Sequence, residues 1–359
     1  MKHREVVIAT QRIGLLMMVV GLLTACGGSP AQPGTTPADA PETPSDTATT
    51  ALDKVAAGGQ TADFPFTIEN CGATFTYTAI PQRALVFDGN MINMMVQLGL
   101  QDRVVGYWTS GAELDPDTKA QLANATEITA NMPGPSREVV LEQSPDFIFG
   151  GWEGYGFSEE SGLTQAALTE LQINSYALSE SCQDANGITT IDDTYTDITN
   201  IGRIFGVLDR GQQVIVDMQA DIASVTERLD ASATPPRVFV YDDIGADNPL
   251  TVGSSALLNH LITLAGGANI FNDLAEDWST VGWESVIERN PDIIVVMDTD
   301  WESATERMAR LKSLPQLAEL PAIKNERFVT IHYRQAVSGL QNAEGVRLLA
   351  QGLHPDKFQ

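Results

Sequence analysis

Two glutamates, Glu138 and Glu284, occupy the same position in two copies of one sequence repeat, 146 residues apart. Each copy has the pattern E-x-x-x-E-x-x-P-D, which ends at Asp146 in the first copy and at Asp292 in the second. A carboxylate in the first turn of a helix is stabilised by the helix dipole. An exposed carboxylate can also accept charge-assisted hydrogen bonds from the arginines of a partner. The residues alone leave both roles open for the two glutamates.

The repeat also predicts the elements that carry these glutamates. Each copy has the pattern of a short amphipathic helix that a proline ends, followed by an apolar run typical of a strand buried on both faces. A chain that uses this unit twice is expected to have two similar lobes that enclose a cleft. Strand and helix patterns alternate on both sides of each copy, which predicts an α/β fold with two Rossmann-like lobes, each with a central parallel sheet.

A long amphipathic pattern lies between the two halves. Apolar residues recur at spacings of three and four from Arg210 to Leu229, which predicts one interdomain helix about 30 Å long. Pro235 and Pro236 end this pattern. Because a single long helix is stiffer than a pair of strand hinges, we expect the lobes to move only modestly. The predicted boundaries are an N-terminal lobe at 64–207, a linking helix at 208–234 and a C-terminal lobe at 235–359.

The first 63 residues predict export and attachment to a membrane. Basic residues precede an apolar stretch, Ile13–Leu23, that is too short to span a bilayer and is typical of a secretory signal peptide at 1–25. Its Leu-Thr-Ala-Cys ending resembles a bacterial lipobox, which predicts a lipid on Cys26; an ordinary signal peptide is the alternative. Residues 27–63 contain five prolines and no aromatic residue. This composition predicts a disordered tether between Cys26 and the folded lobes.

Two further cysteines, Cys71 and Cys182, remain after Cys26 is set aside. In an exported domain an even pair favours a disulfide over two free thiols. Neither cysteine has a Cys or His neighbour at metal-ligand spacing, so a zinc site is not expected.

Composition argues against several classes of function. The formal net charge of −26 opposes nucleic-acid binding, which needs clustered lysines and arginines. The mature chain has three histidines, His260, His332 and His354, and no nucleophile, metal or phosphate-loop motif accompanies them. We therefore expect a binding protein rather than an enzyme, with no metal site of its own.

The lipobox, the two lobes, the linking helix and the repeated motif together resemble the helical-hinge class of ABC-transporter substrate-binding proteins. This is the family of iron–siderophore, haem and cobalamin binders. Three other stretches are similar to the family, and the likeness covers nearly all of 64–359: Ile68–Gly72, Ile201–Gly206 and Leu264–Gly267.

The resemblance implies a partner for each glutamate and a ligand for the cleft. Glu138 and Glu284 match the family's docking positions, where they would meet arginines of the permease dimer, and Glu142 and Glu288 are expected to be solvated. The cargo would be a bulky metal chelate, with a ferric siderophore first. The protein needs no cofactor, because the metal arrives inside the chelate. The remaining expectations are a monomer anchored by lipid on the extracytoplasmic face, working with an ABC permease and its ATPase.

Candidate ligand contacts are aromatic and cationic side chains near predicted strand ends, since aromatic rings offer flat, rigid surfaces and arginine recognises anions. They are Trp108, Arg137, Trp152, Tyr155, Trp278, Trp301, Tyr333 and Arg334. Packing in the core of a lobe is the alternative for the aromatic residues, above all for Trp108 and Trp283. Cobalamin or haem is the alternative cargo, with His332 or Tyr333 as an axial haem ligand. A ligand-sensing lipoprotein not coupled to transport is a further alternative.

Overall fold

The computed structural model describes residues 63–109, 112–131, 134–151, 156–182, 187–229, 233–242 and 248–358. They belong to one compact unit, Gly58–Gln359. The predicted signal peptide, Cys26 and nearly all of the predicted tether lie outside the described residues. The predicted fold class is confirmed, because two α/β lobes each contain an all-parallel sheet.

The N-terminal lobe begins with an antiparallel hairpin of β1 (Phe66–Asn70) and β2 (Ala73–Tyr77). Its parallel sheet has the order β5-β4-β3-β6-β7. The strands are β3 (Ala84–Phe87), β4 (Val104–Trp108), β5 (Thr126–Glu127), β6 (Phe147–Gly150) and β7 (Asn174–Ala177). The helices are α1 (Gly89–Gln97), α2 (Pro116–Gln121), α3 (Arg137–Glu142) and α4 (Gln165–Glu170). Every residue of β3 and β6 is buried, as expected for strands covered on both faces.

Two helices connect the lobes: α5 (Ile191–Ile204) and α6 (Leu208–Thr226). Helix α6 is the predicted linking helix, and it buries Met218, Ile222 and Val225 from the predicted apolar stripe. These three side chains belong to a hydrophobic cluster that contains residues of both lobes. The lobes therefore share a continuous core beside the helix that joins them.

The C-terminal lobe has a parallel sheet of order β10-β8-β12-β13 and an antiparallel pair, β11 with β9. The strands are β8 (Arg237–Tyr241), β9 (Leu250–Val252), β10 (Ala268–Asn269), β11 (Trp278–Thr280), β12 (Ile293–Asp298) and β13 (Phe328–His332). The helices are α7 (Leu257–Leu264), α8 (Trp283–Arg289), α9 (Ala304–Ser313), α10 (Pro321–Lys324), α11 (Tyr333–Ala336) and α12 (Asn342–Leu353).

The repeated Pro-Asp motif has the same structural role in both lobes. The Asp146 carboxylate accepts hydrogen bonds from the backbone N–H groups of Gln82 and Arg83, just before β3. The Asp292 carboxylate accepts one from the N–H of Arg237, at the start of β8. Each aspartate thus fixes the backbone where the neighbouring strand begins, which the sequence pattern did not reveal.

The predicted disulfide joins Cys71, in the turn of the β1–β2 hairpin, to Cys182, just after the 3-10 helix Ser179–Ser181. It connects the hairpin to the carboxyl end of β7 across a sequence separation of 111 residues.

Reducing this disulfide should lower the melting temperature by several degrees. Closing a loop of this length restricts the unfolded chain and contributes about 4 kcal/mol when the folded geometry is unstrained. Differential scanning calorimetry with and without reductant measures the shift, and a Cys71→Ser/Cys182→Ser variant, which should not respond to reductant, is the control. Two titratable thiols in the unreduced, denatured domain would contradict the pairing.

Candidate functional site

The carboxyl edges of the two parallel sheets meet, and side chains from the two lobes contact each other there. The Tyr333 hydroxyl donates a hydrogen bond to Oδ2 of Asp88 over 3.0 Å. Nη2 of Arg334 donates to the backbone carbonyl of Glu113 over 2.5 Å. We call the space that these contacts border the cleft. Open α/β sheets bind ligands at this edge, where loops follow the strands.

Asp88 lies at the N-lobe side of the cleft, directly after β3, and is 2% exposed. Burial raises the pKa of its carboxyl, while hydrogen bonds from the Asn90 N–H and the Tyr333 hydroxyl and the charge of Arg334 oppose that rise. Its backbone has φ 74° and ψ 148°, a conformation that costs a non-glycine residue roughly 1–3 kcal/mol. Such strain is concentrated at functional sites, and here it places a carboxylate against the opposite lobe.

The segment that follows Tyr333 is held against the N-terminal lobe by buried polar contacts. Nδ2 of Asn90 donates to the carbonyls of Val337 and Ser338 over 3.3 and 3.0 Å. The N–H of Ser338 donates to Oε2 of Glu180 over 2.6 Å. A Cβ at Gly339 would lie 2.8 Å from Nδ2 of Asn90, so this approach requires glycine. These contacts fix Tyr333 and Arg334 relative to the N-terminal lobe.

Arg334 is engaged on its own lobe as well. Its Nη2 lies 2.5 Å from Oδ2 of Asp300, in the loop after β12. Oδ1 of the same aspartate lies 3.5 Å from Nε2 of His332, whose Nδ1 accepts a hydrogen bond from the N–H of Arg334. Asp300 therefore contacts both the last residue of β13, His332, and Arg334 just after it.

Trp301 follows Asp300 and is the most exposed of the large apolar side chains described, at 68%. Its ring centroid lies 6.3 Å from that of Tyr333, with the two planes tilted by 52°. An exposed tryptophan next to a half-buried tyrosine offers an apolar surface at the cleft.

A pocket of ≈640 Å³ adjoins the cleft on the N-lobe side and reaches Glu113, whose carbonyl Arg334 contacts. It lies between the end of β4 and α2, and Lys119 and Glu127 in its lining form an ion pair at 3.0 Å.

The other predicted ligand contacts have different surroundings. Trp108 is 2% exposed, packs edge-on against Phe87 and donates its indole N–H to the carbonyl of Ala130. The structure thus places Trp108 in the core of the N-terminal lobe, which was the alternative to a ligand contact. Trp278 is half-buried in β11 against the shared core, and Arg137 is half-buried at the start of α3. Trp152 and Tyr155 lie outside the described residues.

The two predicted docking glutamates are exposed and occupy equivalent positions. Glu138 is the second residue of α3, and Glu284 is the second residue of α8. Hydrogen bonds from its own backbone N–H and from the side chain of Ser136 lower the pKa of Glu138, which keeps it ionised. Their role at a permease stays a prediction.

Sequence reasoning missed Asp88, Asn90, Glu180 and Asp300 as parts of this site. Asp88 had a usable signal, because Asp-Gly-Asn directly after a buried strand is typical of a functional loop at the carboxyl edge of a sheet. Asn90 and Glu180 had none, since their partners are more than 150 residues away in sequence.

Within the described part of the chain, no group of three or more His, Cys, Asp or Glu side chains is placed to hold a metal ion. Among the same residues, no helix combines the length and apolar composition needed for a membrane crossing.

A sequence model of the family described as periplasmic binding protein matches residues 86–334, which include the cleft and nearly all of both parallel sheets. The chain belongs to this family. Its members are substrate-binding proteins of transport systems, so the family is not one of enzymes, and the predicted resemblance is confirmed.

Named relatives and a solved structure agree with this assignment. An uncharacterized ABC transporter substrate-binding lipoprotein of Bacillus subtilis (strain 168), YvrC, is 23% identical over 305 residues, covering 84% of this chain and 89% of its own. A vitamin B12-binding protein of Pectobacterium atrosepticum is 24% identical over 222 residues, covering 61% and 72%. The crystal structure of an ABC-type Fe³⁺-hydroxamate transport system protein from Saccharomonospora viridis superposes with a TM-score of 0.68 at 24% identity, covering 80% of this chain and 99% of that one.

Proposed function

We propose that this protein is a lipid-anchored solute-binding protein that captures a bulky metal chelate in the cleft and delivers it to an ABC permease dimer. A ferric siderophore is the first candidate for the ligand. The observation that carries the proposal is the pairing of an exposed Trp301 with Tyr333 at the junction of the two carboxyl edges. A large apolar chelate needs such a flat aromatic contact, and a small ion does not.

Cobalamin and haem are the alternative ligands. Similarity to a vitamin B12-binding protein favours cobalamin as the second candidate. Axial ligation of haem would have to displace existing contacts, because the Tyr333 hydroxyl is bonded to Asp88 and Nδ1 of His332 accepts the N–H of Arg334. Haem therefore ranks third.

The anchor and the partners complete the proposal. Lipid on Cys26 would hold the lobes near the extracytoplasmic face of the membrane, where Glu138 and Glu284 would meet the permease and its ATPase would drive import. The metal would enter as part of the ligand, and the protein would act as a monomer without a cofactor. A ligand-sensing lipoprotein would use the same cleft without the docking contacts.

The first test is a comparison of chelates with free metals. Quenching of tryptophan fluorescence should show saturable binding of a ferric siderophore or of cobalamin, and no response to zinc or manganese ions. The reason is that the described residues provide an aromatic surface and no cluster of metal ligands. Tight binding of a free divalent metal, with no response to any chelate, would refute the proposal.

Two tryptophan variants should separate binding from stability. Trp301→Ala should weaken chelate binding about tenfold or more, because burial of an aromatic side chain against a ligand is worth roughly 1.5–3 kcal/mol. Its melting temperature should stay nearly unchanged, since the ring is 68% exposed. Trp283→Ala is the matched control: Trp283 packs against Phe239 and Tyr241 in the lobe core, so this variant should lose stability and keep its affinity. An equal loss of affinity in both variants would show that Trp301 does not contact the ligand.

A further inference from the structure

The described cationic side chains at the cleft are already paired with carboxylates, and Asp88 and Glu113 are carboxyl groups beyond those pairs. Arg334 lies 2.5 Å from Asp300, and Lys119 lies 3.0 Å from Glu127 in the adjoining pocket. The buried carboxylate of Asp88 accepts the Tyr333 hydroxyl directly behind the aromatic contact.

Two further arginines at the carboxyl edge of the C-terminal sheet are also paired: Arg307 with Asp242 and Glu302, and Arg310 with Glu302. Arg137, on α3, has the charge of Glu138 beside it. Among the described residues at the cleft, carboxyl groups therefore outnumber cationic side chains.

We propose that the cleft selects an uncharged or cationic metal chelate over an anionic one, and that Asp300 sets this preference by holding the guanidinium of Arg334. The inference rests on the proposed function and narrows its class of ligand. Arg334 is the arginine that an anionic ligand would need, and Asp300 and the Glu113 carbonyl both accept from its Nη2.

The energetic reason is the negative charge that an anion would meet beside Arg334. An anionic group at the remaining N–H donors of Arg334 would face a guanidinium that the Asp300 carboxylate already neutralises, so repulsion from Asp300 would offset the attraction. An uncharged or cationic chelate leaves the pair intact, and a cation is attracted by the surplus carboxylates. Asp300 thus acts on specificity through Arg334 and without touching the ligand.

The test measures affinity against ligand charge. The full-length chain in detergent is titrated with ferrioxamine B (cationic), ferrichrome and cyanocobalamin (both uncharged) and ferric enterobactin (anionic). At least one cationic or uncharged chelate should bind ten or more times tighter than the anionic one. Tightest binding of ferric enterobactin would overturn the charge preference and leave the proposed function standing. Binding of no chelate would contradict the proposed function itself, and this inference with it.

A substitution at Asp300 tests whether this residue sets the charge preference. Asp300→Asn should shift the affinity ratio at least tenfold toward the anionic chelate, and Asp102→Asn, which removes the same charge at the opposite edge of the N-lobe sheet, should not. An unchanged ratio in a folded Asp300→Asn variant would refute the role of Asp300.

The salt dependence of affinity tests the same preference in the unaltered protein. Raising the salt concentration screens the charges, which should strengthen binding of the anionic chelate and weaken binding of the cationic one. The reverse salt dependence would overturn the proposal.

Discussion

Replacing both Glu138 and Glu284 with alanine should reduce ligand uptake at least tenfold while ligand affinity stays within about twofold. Both glutamates are exposed on short helices that precede equivalent strands, and neither contributes a described contact in the cleft. Each would lose a charge-assisted hydrogen bond to a permease arginine, worth about 1.5–3 kcal/mol where it is desolvated. A factor of ten corresponds to about 1.4 kcal/mol, so two such contacts exceed it.

The chain provides a matched control for this experiment. Glu142→Ala/Glu288→Ala removes two exposed glutamates from the same two helices and should leave uptake unchanged. Replacing Glu138 and Glu284 with lysine should reduce uptake further than alanine, since it adds repulsion against the same arginines. Normal import by the Glu138→Ala/Glu284→Ala variant, or parallel loss of binding and import, would show that these glutamates do not dock.

The protein should become more stable as the pH falls from 8 to about 5.5. Burial raises the pKa of Glu180 to about 7, against the hydrogen bond from the Ser338 N–H, and the charges of Asp197 and Asp277 add to the rise. Burial also raises the pKa of Asp197 to about 7, although Ser179 and Tyr176 donate hydrogen bonds to it. The folded state therefore binds protons in this range that the unfolded state does not, so its stability is lost as the pH rises through 7.

Glu180→Gln should flatten this dependence. Glutamine keeps an acceptor for the Ser338 N–H and removes the charge, so the gain of the variant over the parent should be about 2 kcal/mol larger at pH 8 than at pH 5.5. Thermal unfolding across the pH range measures the effect, with Glu142→Gln, an exposed position, as the control. Carboxyls with a lowered pKa, such as Glu138 and Glu306, titrate below this window. A parent whose stability rises from pH 5.5 to 8 would contradict this account.

The sequence predicted the parts of the fold that local patterns encode. The apolar runs that became β3, β6 and β12 are fully or almost fully buried strands. The spacing of Met218, Ile222 and Val225 gave the linking helix its buried face. A strand pattern of this kind is a run of adjacent apolar residues and the helix pattern is a spacing of three or four, so both can be recognised without knowing the tertiary structure.

The site depends on contacts that no local pattern encodes. Asp88 meets Tyr333 across 245 residues of sequence, and Arg334 meets the Glu113 carbonyl across 221. The sequence identifies Arg334 as a cation near a strand end. It does not show that Asp300 neutralises this cation, because that contact depends on how the segments after β12 and β13 meet in the folded protein. For Trp108 the local pattern was misleading. Its position at the end of a strand suggested a ligand contact, but its ring packs against Phe87 in the core.

The most direct test of the account is a crystal structure of the protein bound to the chelate that it binds tightest. We expect the ligand to lie between the two carboxyl edges, in contact with the rings of Trp301 and Tyr333, with Arg334 still paired to Asp300. A chelate bound outside the cleft, or within it but away from both aromatic rings, would contradict the central claim.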